Sequence, residues 1–200
     1  GKLVRNSTNL GMINTLIHAK TLSTADLLMY SHVDMQFYER GWDEKVVDIF
    51  KQNSKIGLLG AVGSVMADPM GGRGQLWQVW SSLKSNRFDG MPIPKDCNFQ
   101  YAVSLDGCCM IFRRKALDEI SIDTNYIIHH FYDKDLSLLM MNVGWNNAVF
   151  SLDCNHLGGV VANQSEFQEW ATQYKNSNTG PEIWKTLTGD RYFYNYNDNN

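Results

Sequence analysis

Apolar residues recur at helical spacing over residues 10–22, where Met12, Ile13, Leu16, Ile17 and Ala19 fall on one side and Thr8 or Asn9 stands in a capping position. A short apolar run at 27–33, LLMYSHV, reads as a buried strand. Helical spacing returns over 42–52. There Trp42, Val46, Ile49 and Phe50 share a face, and Asp43 and Glu44 sit where negative charge suits the exposed N–H groups of a helix start. Residues 56–62, IGLLGAV, make a second buried strand. Strands lying between helices predict an α/β fold, a mainly parallel central sheet flanked by helices.

The pattern changes over 68–100. This stretch holds GGRG, Trp77, Trp80 and Met-Pro-Ile-Pro, has no long period, and reads as a loop of a length that is commonly functional. Strand character returns over 101–113, interrupted by Asp106-Gly107. A helix is predicted over 135–143 and a last strand over 147–152, with two amphipathic helices at 166–174 and 182–187 before the polar tail YNYNDNN. Residues 1–160 therefore read as the core, and 161–200 as a helical extension and polar tail of the same domain.

With 200 residues, 44% hydrophobic and 20% charged, the chain has enough material for one real core. A net charge of -3 supplies no basic field for a nucleic-acid backbone. No apolar run approaches transmembrane length. Cys97, Cys108, Cys109 and Cys154 lack the two-residue gap of a zinc knuckle or redox pair. They read as reduced, mostly buried thiols of a cytoplasmic protein, and in a strand Cys108 and Cys109 would point to opposite faces.

Three constellations carry chemistry. His32 and Asp34 flank Val33 at the end of the first predicted strand, the edge at which open α/β sheets bind ligands. Alternation turns both the same way, either as half of a site for Mn2+ or Mg2+ or as a hydrogen-bonded polar pair. Asp133 and Asp135 stand two apart near a predicted helix start, as capping carboxylates or with one as general base for a hydroxyl. His156 follows the last predicted strand, where a structural histidine is the plainer reading. Trp77 and Trp80 either stack on a ligand or pack the long loop on the sheet.

The order of these motifs resembles that of the GT-A glycosyltransferases, in particular their family-2-like group. Asn6, Asn9 and Gly11 match an Asn/Gly-rich helix start. His32-Val33-Asp34, followed by Gly41-Trp42, matches a strand ending in a short acidic metal motif. IGLLGAVGS matches a strand with a Gly-rich end, and DGCCMIFRR a strand with Asp-Gly, an apolar stretch and Arg-Arg. FYDKDLSLLMMNVGW matches an aromatic–Asp–x–Asp–Leu helix opening, and His156 in NHLGG follows the last strand. The resemblance runs from about Asn6 to Gly159.

The resemblance implies a GT-A-like fold and transfer of a sugar from a nucleotide diphosphate to a hydroxyl acceptor, dependent on Mn2+ or Mg2+ and with inversion. It makes Asp34 a metal ligand, His32 a second contact to metal or diphosphate, and His156 the distal ligand. Asp133 becomes the catalytic base, Asp135 a support for the helix start or acceptor, and Asp106 and Gly107 the strand end facing donor sugar and acceptor. A UDP-sugar is the expected donor and a carbohydrate the acceptor. Two departures stand out. Val33 occupies a position where the subgroup often has Asp, and the strand–helix–strand unit that grips base and ribose in the family is not found before Gly1. The alternative is a non-catalytic sugar- or nucleotide-binding module on the same scaffold. The joint presence of Asp34, Asp133 and His156 speaks against it.

Overall fold

The structure is a computed structural model that describes residues 3–64, 97–122 and 132–157, together with the backbone of 78–80. Helix α1 (Gly11–Leu22) leads into β1 (Leu27–Ser31) and β2 (Met35–Phe37). Helix α2 (Trp42–Gln52) connects to β3 (Ile56–Gly60) and the short β4 (Val62–Ser64). Strands β5 (Gln78–Trp80), β6 (Phe99–Ala102), β7 (Ser104–Leu105) and β8 (Cys109–Arg113) precede α3 (Arg114–Glu119). Helix α4 (Tyr132–Asn142), β9 (Asn146–Phe150) and β10 (Cys154–His156) follow. The Asn9 side-chain oxygen accepts the Gly11 N–H at 2.9 Å, and Asp43 and Glu44 occupy the first turn of α2.

The α/β class holds, with helices on a central sheet of order β1-β8-β3-β9-β6. The pairing is mixed instead of mainly parallel: β3–β9 is parallel, whereas β1–β8, β3–β8 and β6–β9 are antiparallel. The reason is the connections. Strands β1, β3 and β9 each follow a helix that returns the chain to one starting edge, so they run the same way. No described helix precedes β6 or β8; the latter starts from the Asp106-Gly107 turn at the opposite edge and runs back between β1 and β3.

Alternation along the strands feeds two cores. Leu28, Leu58, Met110, Phe112 and Val149 pack with Ile13 and Leu16 of α1, Leu117 of α3, and Leu136 and Met140 of α4. Leu59, Ile111, Ala148 and Phe150 face the other way, onto Val46, Ile49 and Phe50 of α2. Each fully buried side chain of this size contributes about 1.5–3 kcal/mol. The Arg-Arg pair at the end of β8 ties the layers together. Arg113 donates to the carbonyls of Phe50, Asn53 and Ile56 at 2.7, 3.2 and 2.9 Å, and its guanidinium lies 5.1 Å from the Phe50 ring centre. Arg114 donates to the carbonyls of Ser23 and Ala25 at 2.6 and 2.7 Å. Two cations thus satisfy carbonyls at and just past the C-termini of α2 and α1, where the helix dipoles favour positive charge.

Element bounds and several short elements differ from the sequence reading. Helix α4 begins at Tyr132 instead of 135, strand β5 lies inside the predicted loop, and the short β2 and β10 carry no period long enough to predict. Trp77, most of 68–100, the predicted helices 166–174 and 182–187, and the tail lie outside the described residues. No helix among the described residues is long and apolar enough to cross a membrane.

All four cysteines are free, and three are buried. Cys108 sits in the turn ahead of β8, not in the strand, so it joins Cys109 and Cys154 in one cluster instead of facing away from Cys109. Burial, reinforced by Cys154, pushes the Cys109 thiol up to about 12. A raised pKa keeps it neutral and unreactive until strongly alkaline pH. Alkylation of the native protein at pH 8 should therefore modify Cys97 first, leaving Cys109 unmodified until denaturant is added. Mass mapping of the alkylated peptides reads this directly, and rapid native labelling of Cys109 would contradict the packing.

Candidate functional site

The metal-motif residues are assembled by a two-stranded ribbon at the carboxyl end of β1. β2 and β10 pair antiparallel, with His156 opposite Met35, Asn155 opposite Gln36 and Cys154 opposite Phe37. The Tyr38 N–H donates to the Asp153 carbonyl at 2.8 Å and the Leu157 N–H to the Asp34 carbonyl at 2.9 Å, extending the pairing at both ends. A residue 122 positions downstream of Asp34 is thereby brought beside it. His156 Nε2 lies 3.2 Å from Asp34 Oδ1 and 3.3 Å from His32 Nδ1. The three donor atoms, one per residue, lie within 4.8 Å of one another, and all three side chains are half-buried.

His32 and Asp34 converge by a turn, not by strand alternation. Strand β1 ends at Ser31, and the Met35 N–H donates to the His32 carbonyl at 3.3 Å. Val33 points fully into solvent. The His32 N–H donates to the Cys108 carbonyl at 2.9 Å, which anchors the motif to the Asp106-Gly107 turn.

That turn also receives α4. Gly107 has no side chain, and a Cβ there would come within 1.9 Å of the Tyr132 hydroxyl oxygen. The Gly107 N–H donates to Asp133 Oδ2 at 3.0 Å, the Lys134 N–H to Asp133 Oδ1 at 2.9 Å, and the Cys108 N–H to Asp106 Oδ1 at 2.9 Å. Tyr132 Oη lies 3.1 Å from His32 Nε2, and its ring meets Tyr30 edge-on at 6.0 Å. Burial, followed by the charge of Asp133, holds the Tyr132 phenol far above its usual range, so it stays protonated at any working pH. Burial likewise raises Tyr30. A cavity of about 500 Å³ lies at the opposite edge of the sheet, beside Arg113 and Lys51.

Residues 4–179 match the glycosyltransferase-like family. The chain belongs to that family. Among solved structures, a mannosyltransferase from Pyrobaculum calidifontis in complex with GDP-Man and Mn2+ is similar in fold, with a TM-score of 0.54 at 11% identity over 93% of this chain. The match covers 50% of that protein, so this chain spans half its length. Likeness at this identity speaks for the GT-A-type fold. Comparison with curated proteins finds no match.

In this glycosyltransferase-like chain the structure brings His32, Asp34 and His156 to one point, and places Asp106, Gly107 and Asp133 on the neighbouring turn. Asp135 is buried in the first turn of α4, two residues beyond Asp133. Trp80 belongs to β5, whose backbone pairs with β4 and so lies beyond the carboxyl end of β3. Tyr132 and Tyr30 were not singled out by sequence reasoning. The one available signal was the aromatic residue ahead of the Asp-x-Asp segment. Because the Tyr132 ring fills the space over residue 107, Gly107→Ala should force it out. A loss of about 1–3 kcal/mol, the usual cost of overpacking, is expected in thermal or urea unfolding. An unchanged midpoint would mean that the Tyr132 ring does not rest on this turn.

Proposed function

We propose that the chain carries the metal-binding and acceptor-activating part of a glycosyltransferase that moves a sugar from a nucleotide diphosphate to a hydroxyl group of a carbohydrate acceptor. The observation that carries the reading is the convergence of His32 Nδ1, Asp34 Oδ1 and His156 Nε2 at the sheet edge, next to a carboxylate held by the adjoining turn. Two imidazoles and one carboxylate suit a divalent transition metal. With two nitrogen donors, Mn2+ fits better than Mg2+, which prefers oxygen. The mannosyltransferase of similar fold was solved with Mn2+ and GDP-Man. When bound, the ion supplies neutralisation of the charge that develops on a diphosphate leaving group.

The chain's own residues do the rest. Asp133, with one oxygen on the Gly107 N–H and the other on the Lys134 N–H, is held in a fixed direction at the edge. In that place it accepts the proton of the acceptor hydroxyl as the oxygen attacks the anomeric carbon, which gives inversion. Asp106 and Gly107 form the wall beside the donor sugar, and Asp135 supports the first turn of α4. We assign acceptor stacking to Trp77 and Trp80, of which Trp80 belongs to β5, paired with β4. Four free cysteines fit a reducing compartment such as the cytoplasm. The donor base remains between the UDP-sugar of the family resemblance and the GDP-sugar bound by the structural neighbour, so a donor panel includes both.

Two measurements test this reading. Calorimetry with Mn2+ and a nucleoside diphosphate should show binding by the wild-type chain, weaker binding with Mg2+, and none for Asp34→Ala with the fold intact. Equal binding by wild type and variant would remove the metal site. In a transfer assay Asp133→Asn should keep donor and metal binding and its melting temperature, yet lose about 10²–10⁴-fold in rate. Asp135→Asn should show the opposite balance, with destabilisation and a smaller rate effect. Nucleotide-sugar binding without transfer or donor hydrolysis by any protein variant would mark a non-catalytic binding module.

A further inference from the structure

The side of His32 that faces away from the three converging donors makes its own contacts. Nδ1 points toward His156, while Nε2 faces the Tyr132 hydroxyl at 3.1 Å. The Tyr132 ring is itself backed edge-on by Tyr30 at 6.0 Å between ring centres. Neutral imidazole carries one proton, and a nitrogen that ligates an ion must be the unprotonated one. The nitrogen of His32 that lies with Asp34 and His156 is Nδ1, so ligation there leaves the proton on Nε2, where the Tyr132 oxygen is placed to accept it.

We propose that Tyr132 is a positioning residue that holds His32 in the Nε2–H tautomer and orients its ring, so that Nδ1 is presented as a ligand. The inference rests on the metal-binding reading above. Ligating histidines commonly have their second nitrogen engaged in this way, and loss of such a partner commonly costs about 10–100-fold in metal affinity. Here the partner is a buried phenol instead of a carboxylate. It orients the ring without adding a negative charge behind the site. The same phenol rests on Gly107 and directly precedes Asp133, so the ligand and the base segment share one support.

The test has a readout that needs no metal. Long-range ¹⁵N–¹H spectra of the imidazole rings in the metal-free protein should show His32 as the Nε2–H tautomer. Tyr132→Phe should shift it toward a mixture and weaken Mn2+ binding by about 10–100-fold in calorimetry. An Nε2–H tautomer and Mn2+ affinity both unchanged in folded Tyr132→Phe would overturn the proposal. If that variant does not fold, the wild-type spectrum decides: the Nε2–H tautomer of His32 supports the proposal, and an Nδ1–H tautomer overturns it. Wild-type protein that shows the Nε2–H tautomer but binds no Mn2+ would sink the metal-binding reading instead, with the ring-orienting role of Tyr132 intact.

Discussion

The absence of a side chain at residue 107 is the constraint on which the functional edge depends. The Tyr132 ring occupies the volume that any other residue's Cβ would need. Around this contact, the Gly107 N–H holds Asp133 and the Cys108 carbonyl holds the His32 N–H. One tight turn thus positions the start of α4, the base candidate and the metal motif together. A buried polar bracket secures the same helix deeper in. Ser137 Oγ accepts the Leu105 N–H at 3.1 Å and donates to the Asp133 carbonyl at 2.7 Å, and the Asn147 amide donates to the carbonyls of Ser137 and Val103 at 2.8 and 3.0 Å. In a low-dielectric interior such bonds hold more rigidly than their surface counterparts. The first turn of α4 is therefore pinned from both β7 and β9.

The mixed sheet explains why chemistry collects at one edge. The helix-led strands β1, β3 and β9 deliver their carboxyl ends there, and β8 begins there. An all-parallel arrangement would put the Asp106-Gly107 turn at the far edge, away from His32. Because β8 runs backward between β1 and β3, its entry turn lies directly beside the end of β1. Its other end carries Arg113 and Arg114 to the opposite edge, where they bind the ends of α2 and α1. Strand β8 thus has one end beside the candidate site and one structural end, and the motif DGCCMIFRR contains both.

What was legible in the sequence follows from the range of the signal. Helix α2 was predicted at its observed bounds because its apolar face and acidic first turn agree. The strands β1, β3 and β9 stood out as apolar runs. The direction of β8 did not, because a buried strand looks the same whichever way it runs. The ribbon β2–β10 was invisible for a different reason. Each arm has three residues, too short for a period, and the pairing spans most of the chain. His156 could be placed by family resemblance but not by pattern. Tyr132 was hidden because a buried aromatic at a helix start usually means packing, and its hydroxyl contact is a tertiary fact.

The ribbon also changes what Val33 means. If strand alternation oriented the motif, the middle residue would project into the opposite core and its chemistry would matter to the fold. The turn after Ser31 instead sends Val33 wholly into solvent, while the ribbon holds Asp34 against His156. On the proposed metal-binding reading, His32, Asp34 and His156 would supply the donors, and the exposed Val33 would take no part. A set of two imidazoles and one carboxylate carries less negative charge than a set of carboxylates. It would leave more of a bound ion's positive charge to act on a diphosphate, which is the electrostatic contribution that phosphate departure requires.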